Sequence, residues 1–362
     1  MKEEKTKTIR ERKKEVLERL QGLGLSIYDQ LIENKFPAVD IASRSTTNIV
    51  YDPEIRQYIL GDRMVKRSAG NVRHLRPLTE LVWIGNMVSK LAQEGKTSTL
   101  RDVYYMAQAY DVNFKDQQES DNAITELETV ITHSRENFNV FPEERSAIFG
   151  DVTIEYTVPG YEGKRINLTF HPDGVMIGPA LETADLIETN AEMVICVEKG
   201  AMFTRFVEEK AWEKFKALII HTAGQPPRAT RALIRRLNRE LDLPTYIFCD
   251  SDPWGLGIAL TVICGSANAA HLRELVTPDA KWLGLWPSDV IEYKLPTERM
   301  SELDLKKTHD LLKDPRCQDD PWQRELKKFL ENKRKCELEA FSRYGLAFVV
   351  DKYLPEKLKM EK

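Results

Sequence analysis

Residues 193–200 read Met193-Val194-Ile195-Cys196-Val197-Glu198-Lys199-Gly200, and residues 246–252 read Tyr246-Ile247-Phe248-Cys249-Asp250-Ser251-Asp252. Each opens with a run of four or five apolar residues that stops at a carboxylate. A continuous apolar run of that length reads as a strand buried on both faces, and such strands belong to parallel sheets covered by helices. The flanking sequence agrees: helices are expected over 202–215, 229–241 and 256–267, and further short strands over 218–220 and 282–285. This alternation implies an α/β domain with crossover helices on a parallel sheet. Functional groups of such sheets collect beyond the carboxyl ends of the strands. Glu198, Asp250 and Asp252 all stand there, and neighbouring strands would bring them to one rim. Three hard oxygen donors suit Mg2+. An Asp-x-Asp alone is a common turn or helix cap; the signal lies in the pair of acid-ended strands.

Upstream, the pattern changes to an α+β region over 77–150. Thr79 is read as the cap of a first helix reaching about residue 93, with Leu81, Val82, Ile84, Met87, Val88 and Leu91 on its buried side. Thr97, Ser98 and Thr99 offer caps for a second helix, and a third fits 121–132. Strands are expected over 139–141, 148–158 and 166–170. Three helices followed by a β-hairpin is the order of a winged-helix (CAP-like) domain. Residues 1–76 read as an N-terminal extension suited to docking a partner, and 151–362 as the parallel-sheet domain with a charged helical C-terminal region.

The second of these helices carries Thr99-Leu100-Arg101-Asp102-Val103-Tyr104-Tyr105. At about 100° per residue, Leu100, Val103, Tyr104 and Ala107 share one face and pack. Tyr105 lies on the other face, one turn from Arg101, and is presented to solvent or ligand. A guanidinium there favours a phenolate and can hold a phosphate oxygen. A third feature is Gly224-Gln225-Pro226-Pro227-Arg228-Ala229-Thr230-Arg231, a stiff loop opening a helix. Arg228, Arg231, Arg235 and Arg239 follow at helical spacing, as a phosphate-binding stripe at a helix N-terminus or as a solvated face.

The chain has 362 residues, 42% hydrophobic and 30% charged, enough for two domains. That composition excludes bulk disorder, collagen and a disulfide scaffold. No apolar run reaches the roughly eighteen residues needed to cross a bilayer. Residues 1–19 are charged throughout, without the apolar centre of a signal peptide, so a cytoplasmic location is expected. Cys196, Cys249, Cys264, Cys317 and Cys336 have no metal-ligand spacing and read as buried thiols; the six histidines are equally scattered. The net charge of -4 hides two basic stretches. One runs from Arg56 through Arg63, Lys66, Arg67 and Arg73 to Arg76 against the single acid Asp62; the other holds five arginines over 228–239 and no acid. Both could hold phosphates while acids elsewhere set the overall sign.

These pieces in this order resemble the A-subunit family of DNA topoisomerase VI, the type IIB topoisomerases, to which the meiotic double-strand-break proteins are related. The likeness runs over nearly the whole chain. It rests on Arg101-Asp102-Val103-Tyr104-Tyr105, on Ser134-Arg135, on the Toprim motifs Val197-Glu198-Lys199-Gly200 and Asp250-Ser251-Asp252, and on the 224–231 segment. The resemblance implies a winged-helix domain carrying a nucleophile, Tyr105 by position, assisted by Arg101. It implies a Toprim domain that holds Mg2+ on Glu198, Asp250 and Asp252, and DNA contacts from Arg228, Arg231, Arg235, Ser134 and Arg135. Attack on a phosphodiester would leave a 5′-phosphotyrosine, with Lys199 as a general-acid candidate and His74, His133 or His221 as base candidates. One nucleophilic tyrosine per chain implies a homodimer on double-stranded DNA. The sequence contains no Gly-x-x-x-x-Gly-Lys-Ser/Thr loop, so ATP would be used by a separate B subunit in an A2B2 assembly. A Toprim nuclease acting without a covalent intermediate and a meiotic-type break-maker are the other activities the same motifs allow.

Overall fold

The computed structural model describes residues 9–142 and 145–360. Two hydrophobic cores organise the chain. The first is built from α1 (Ile9–Ile32), β1 (Ala38–Ala42), the strand β4 (Met64–Ser68) that pairs with β1, α2 (Val72–Glu94), α3 (Leu100–Ala109) and α4 (Gln117–Ile131); between β1 and β4 a hairpin of β2 (Ile49–Asp52) and β3 (Gln57–Leu60) stands outside this cluster. Val16 and Leu20 of α1 and Val39 and Ile41 of β1 are buried in one cluster with Leu81, Ile84 and Val88 of α2, Val103 and Ala107 of α3, and Ile124 and Leu127 of α4. Local signals set the helix starts. Asn71 accepts the Arg73 N–H ahead of α2, Thr99 and Asp102 form a reciprocal capping box on α3, and Asp116 accepts the Glu119 N–H on α4. Gly95 ends α2 at φ 64°, the left-handed position a glycine adopts without strain.

Two expectations change here. Residues 9–76 are not an appendage, because Val16, Leu20, Val39 and Ile41 are buried in the first core, Tyr51 packs against the second, and α2 runs straight through the expected boundary at residue 76. The missed start is physical: Asn71 is the cap, and the Thr79 hydroxyl instead donates to the Leu75 carbonyl inside the helix. Residues 1–8 of the expected extension lie outside the described residues. The β2–β3 hairpin reaches the second core, where Gln57 Nε2 donates to the Leu272 carbonyl at 3.4 Å and Arg56 to that of Pro278 at 2.8 Å.

The second core is a six-stranded sheet. Its order from one edge is Val175–Met176, Ala147–Phe149, Ala217–His221, Met193–Val197, Thr245–Phe248 and Lys281–Gly284. The last four run parallel, as expected from their apolar runs; the first two are antiparallel. Alternate residues face opposite layers. Val194, Cys196 and Ile247 pack with the Arg228–Glu240 and Pro253–Cys264 helices, whereas Ile195, Val197 and Phe248 pack with the Gly200–Glu208 helix and the C-terminal Phe341 and Tyr353. A side sheet of Asp185–Thr189, Val152–Glu155 and Arg165–Asn167 completes the domain.

The strands expected to form the wing of a winged helix belong here. Ala147–Phe149 pairs with Ala217–His221, and Ile148, Val152, Ile154 and Leu168 are buried in the second core. Only Val140–Phe141 stays with the helices, pairing in parallel with Ser98–Thr99. The parallel-sheet domain therefore begins before the expected boundary at 150. No helix among the described residues is long and apolar enough to cross a membrane.

Candidate active site

Met193–Val197 and Thr245–Phe248 are neighbours in register, Val197 opposite Phe248, so the residues that follow them emerge side by side. The Glu198 N–H donates to the Phe248 carbonyl at 3.1 Å, and Glu198 Oε2 accepts the Asp250 N–H at 3.0 Å. Asp250 is 5% exposed; its Oδ1 accepts the Leu338 N–H at 2.9 Å and its Oδ2 lies 3.2 Å from Lys199 Nζ. Asp252 caps the Pro253–Cys264 helix, accepting the N–H groups of Trp254 at 2.9 Å and Gly255 at 2.6 Å. Gly255 is required at that turn, since a Cβ would overlap the Asp250 carbonyl oxygen.

Sequence reasoning missed the C-terminal part of this rim. Paired backbone bonds between Ser251 and Cys336 lay residues 334–339 beside the strand end, and Lys199 Nζ meets Glu337 at 3.4 Å and Glu339 at 3.8 Å. No local motif marks that segment; its position depends on a pairing 85 residues away in sequence. His221 ends the strand adjacent to Glu198, opposite Val197. Burial lowers its pKa below the usual imidazole value, against a hydrogen bond to the Glu198 backbone. Of the three histidines considered as bases, His74 stands on α2 and His133 lies 3.6 Å from Glu15, both with the first core.

The electrostatics are those of crowded acids. Burial, reinforced by the charges of Asp250 and Asp252, pushes Glu198 up to about 7. Burial raises Asp250 to about 6 and also raises Asp252. Burial works against the Lys199 ammonium, but Asp250, Glu339 and Glu337 outweigh it and hold its pKa above the ordinary lysine value. As placed, no three His, Cys, Asp or Glu side chains among the described residues close around one metal position. Their oxygens are engaged instead by backbone N–H groups and Lys199. The donor chemistry still fits a hard divalent cation, because the charges of Asp250 and Asp252 disfavour that of Glu198 even with Lys199 and Lys335 nearby.

Tyr105 belongs to the other core. On α3, Val103 and Ala107 are buried and Tyr104 packs against the first core, while Tyr105 is 53% exposed. The Arg101 guanidinium lies over the Tyr105 ring, 5.9 Å from its centroid, and the Tyr104 ring meets it edge-on at 5.4 Å.

The arginines are where the structure departs most from expectation. Arg135, expected to contact DNA, is buried and bonds the carboxylate of the fully buried Glu128 at 2.9 and 3.1 Å. Arg228 ion-pairs with the same carboxylate, and His271 Nε2 approaches it at 3.2 Å. Burial opposes the Glu128 charge, but Arg135, His271 and Arg228 outweigh it and hold its pKa well below the carboxylate range. Ser134 is buried and accepts from Asn137 at 3.0 Å. Arg231 is 6% exposed, with its pKa lowered to about 10 by burial and by Arg228; Arg235 is half-buried. Arg135 and Arg228 are thus committed to a buried charge network around Glu128, whereas Arg231 is buried with its Nε and Nη1 atoms left without a hydrogen-bond partner among the described residues. A local excess of arginine cannot reveal an acid 100 residues away that neutralises it.

Comparison with known proteins connects both cores to one family. A family model for the Toprim domain shared by the topoisomerase 6 A subunit and Spo11 matches residues 193–358, and one described as "Type IIB DNA topoisomerase" matches residues 76–140. The chain is 41% identical over 350 residues to a protein of Methanothermobacter thermautotrophicus, covering 96% of this chain and 98% of that protein. It is 38% identical to one of Natronomonas pharaonis, covering 94% of each, and 35% identical to one of Archaeoglobus fulgidus, covering 97% and 98%. All three are named as the A subunit of type 2 DNA topoisomerase 6. With that likeness spanning the acid-ended strands and the tyrosine helix alike, the chain belongs to the topoisomerase VI A-subunit family of type IIB DNA topoisomerases.

Proposed function

We propose that Tyr105 cuts and reseals duplex DNA. The phenol oxygen attacks a backbone phosphorus; a bond from phosphorus to Tyr105 forms as the bond to the 3′ oxygen breaks. The products are a 5′-phosphotyrosine and a 3′-hydroxyl, the phenol having lost a proton and the leaving oxygen gained one. The ester is exchanged rather than hydrolysed, so the reverse attack reseals the strand. A phenol has a pKa of about 10 and is a poor nucleophile near neutrality without electrostatic help. Arg101 supplies a positive charge over the ring. His221, which ends the strand beside Glu198, is the base candidate that stands at the acid rim. Lys199, its proton held by three carboxylates, is better suited to balancing Asp250 than to acting as the general acid.

Glu198, Asp250 and Asp252 would hold Mg2+, which when bound neutralises charge on the phosphate under attack. Tyr105 and the acids stand on separate cores, which supports pairing the tyrosine of one chain with the acids of a second in a homodimer. Two chains then supply one tyrosine for each DNA strand. Helices α2 to α4 are read as a winged-helix-type platform for DNA. A separate ATPase, the B subunit, would complete an A2B2 enzyme that relaxes and decatenates DNA in the cytoplasm, at the nucleoid. The later part of α1, with Leu25, Tyr28, Leu31 and Ile32 exposed, is the proposed docking face for that ATPase.

The observation that carries this reading is Tyr105 itself, exposed under a guanidinium in the segment matched by the type IIB model. Wild type and Tyr105→Phe are incubated with plasmid, Mg2+, ATP and the B subunit, then denatured. Protein attached to DNA ends in wild type and absent from the variant is expected. Cutting retained by Tyr105→Phe, with no attached protein, would replace the reading with a Toprim nuclease.

A further inference from the structure

Of the six tryptophans, Trp254 is the exposed one among the described residues, at 52%. It follows Asp252 by two residues, and its backbone N–H is bonded to the Asp252 carboxylate, so the indole stands on the acid rim itself. The ring is fixed rather than free. Its Nε1–H donates to Asp304 Oδ1 at 2.9 Å, and Asp304 is 3% exposed and part of the Ser301 capping box of the Glu302–Lys313 helix. Two ammonium groups flank this anchor: Lys307 Nζ lies 5.7 Å from the indole centroid, and Lys335 Nζ lies 3.5 Å from Asp304 Oδ2. A large flat apolar face held in water gives up the burial that normally stabilises an indole. An indole locked in one orientation, with cations at its side and metal-type acids at its foot, has the makings of a nucleotide platform. Bases stack on aromatic faces without regard to sequence, and phosphates seek ammonium groups.

We infer that Trp254 stacks on a base or sugar of the DNA next to the scissile phosphate and sets that nucleotide's position over the acids, with Lys307 and Lys335 facing the neighbouring phosphates. This rests on the proposed cleavage function. Trp254 is here a positioning contact, with no part in bond making.

The test uses full-length wild type, Trp254→Phe and Trp254→Ala with duplexes carrying 2-aminopurine at successive positions across the cut site. In wild type, binding is expected to change the fluorescence at one position or two adjacent ones. Trp254→Phe keeps that local signal. Trp254→Ala loses it while signals elsewhere persist, and its affinity falls roughly tenfold. A Trp254→Ala protein that keeps the position-specific signal and wild-type affinity would overturn the inference, as would one that weakens only self-association. Should the alanine variant not fold, acrylamide quenching of wild type with and without DNA decides: the indole becomes shielded by bound duplex, or its unchanged quenching refutes the contact. A wild-type chain that forms no Tyr105-linked DNA when Mg2+, ATP and the B subunit are added counts against the cleavage function; normal adducts with an unchanged 2-aminopurine profile in Trp254→Ala count against the platform alone.

Discussion

His271 is 4% exposed in its side chain and stands against the Glu128 carboxylate. Burial lowers its pKa below the free value, with Glu128 pulling the other way. The unfolded chain therefore binds more protons than the folded one once the pH drops below about 6.5. Stability resting on the neutral ring is complete above that pH and drains away as the pH falls toward the folded-state value. Urea midpoints measured at neutral and mildly acidic pH should show a larger acid loss for wild type than for His271→Asn; equal losses would mean that the ring does not carry the effect. This pairing was invisible in the sequence, whereas the split between Tyr104 and Tyr105 was legible. A helical period is local and sorts adjacent residues onto opposite faces without knowledge of the rest of the fold. Ion pairs such as Arg228 with Glu128 depend on segments that only the tertiary structure brings together.

At the level of elements, the capping box that starts α3 makes a separable contribution. Thr99 Oγ1 accepts the Asp102 N–H at 3.1 Å, and Asp102 accepts the Thr99 N–H in return, also at 3.1 Å. Thr99→Ala should lower unfolding free energy by about 1 kcal/mol. Because the Arg101–Tyr105 stack lies beyond the cap, the yield of DNA-linked protein at a temperature well below unfolding should hold, and chemical denaturation with an adduct assay separates the two effects. The parallel strands were legible for the same reason as this cap, since buried strands write themselves as unbroken apolar runs. The hairpin over 148–170 was not. Its alternation signals a half-buried strand pair but not which neighbouring core it covers, and Ile148, Ile154 and Leu168 turned to the second. The rim residues Glu337 and Glu339 were equally hidden, being placed by the backbone pairing of Ser251 with Cys336.

Across the whole molecule, Glu128 is the point where the two cores meet. Its carboxylate is reached by Arg135 from the first core and by Arg228 and His271 from the second, and its side chain is shut off from solvent. Removing one member of such a group leaves its partners charged and buried. Glu128→Ala should cost about 3–5 kcal/mol, read from denaturant unfolding, and a loss below about 1 kcal/mol would mean that water already compensates the arginines. The hairpin bonds from Arg56 and Gln57 add to the same seam. A duplex that must travel through a cut needs something to swing aside. Parting the tyrosine platform from the sheet within one chain would strip counter-charges from a carboxylate in a dry crevice. In the proposed homodimer, two copies that each move as a stiff unit would part along their mutual boundary instead, which would put the doorway for a transported duplex between polypeptides rather than inside one.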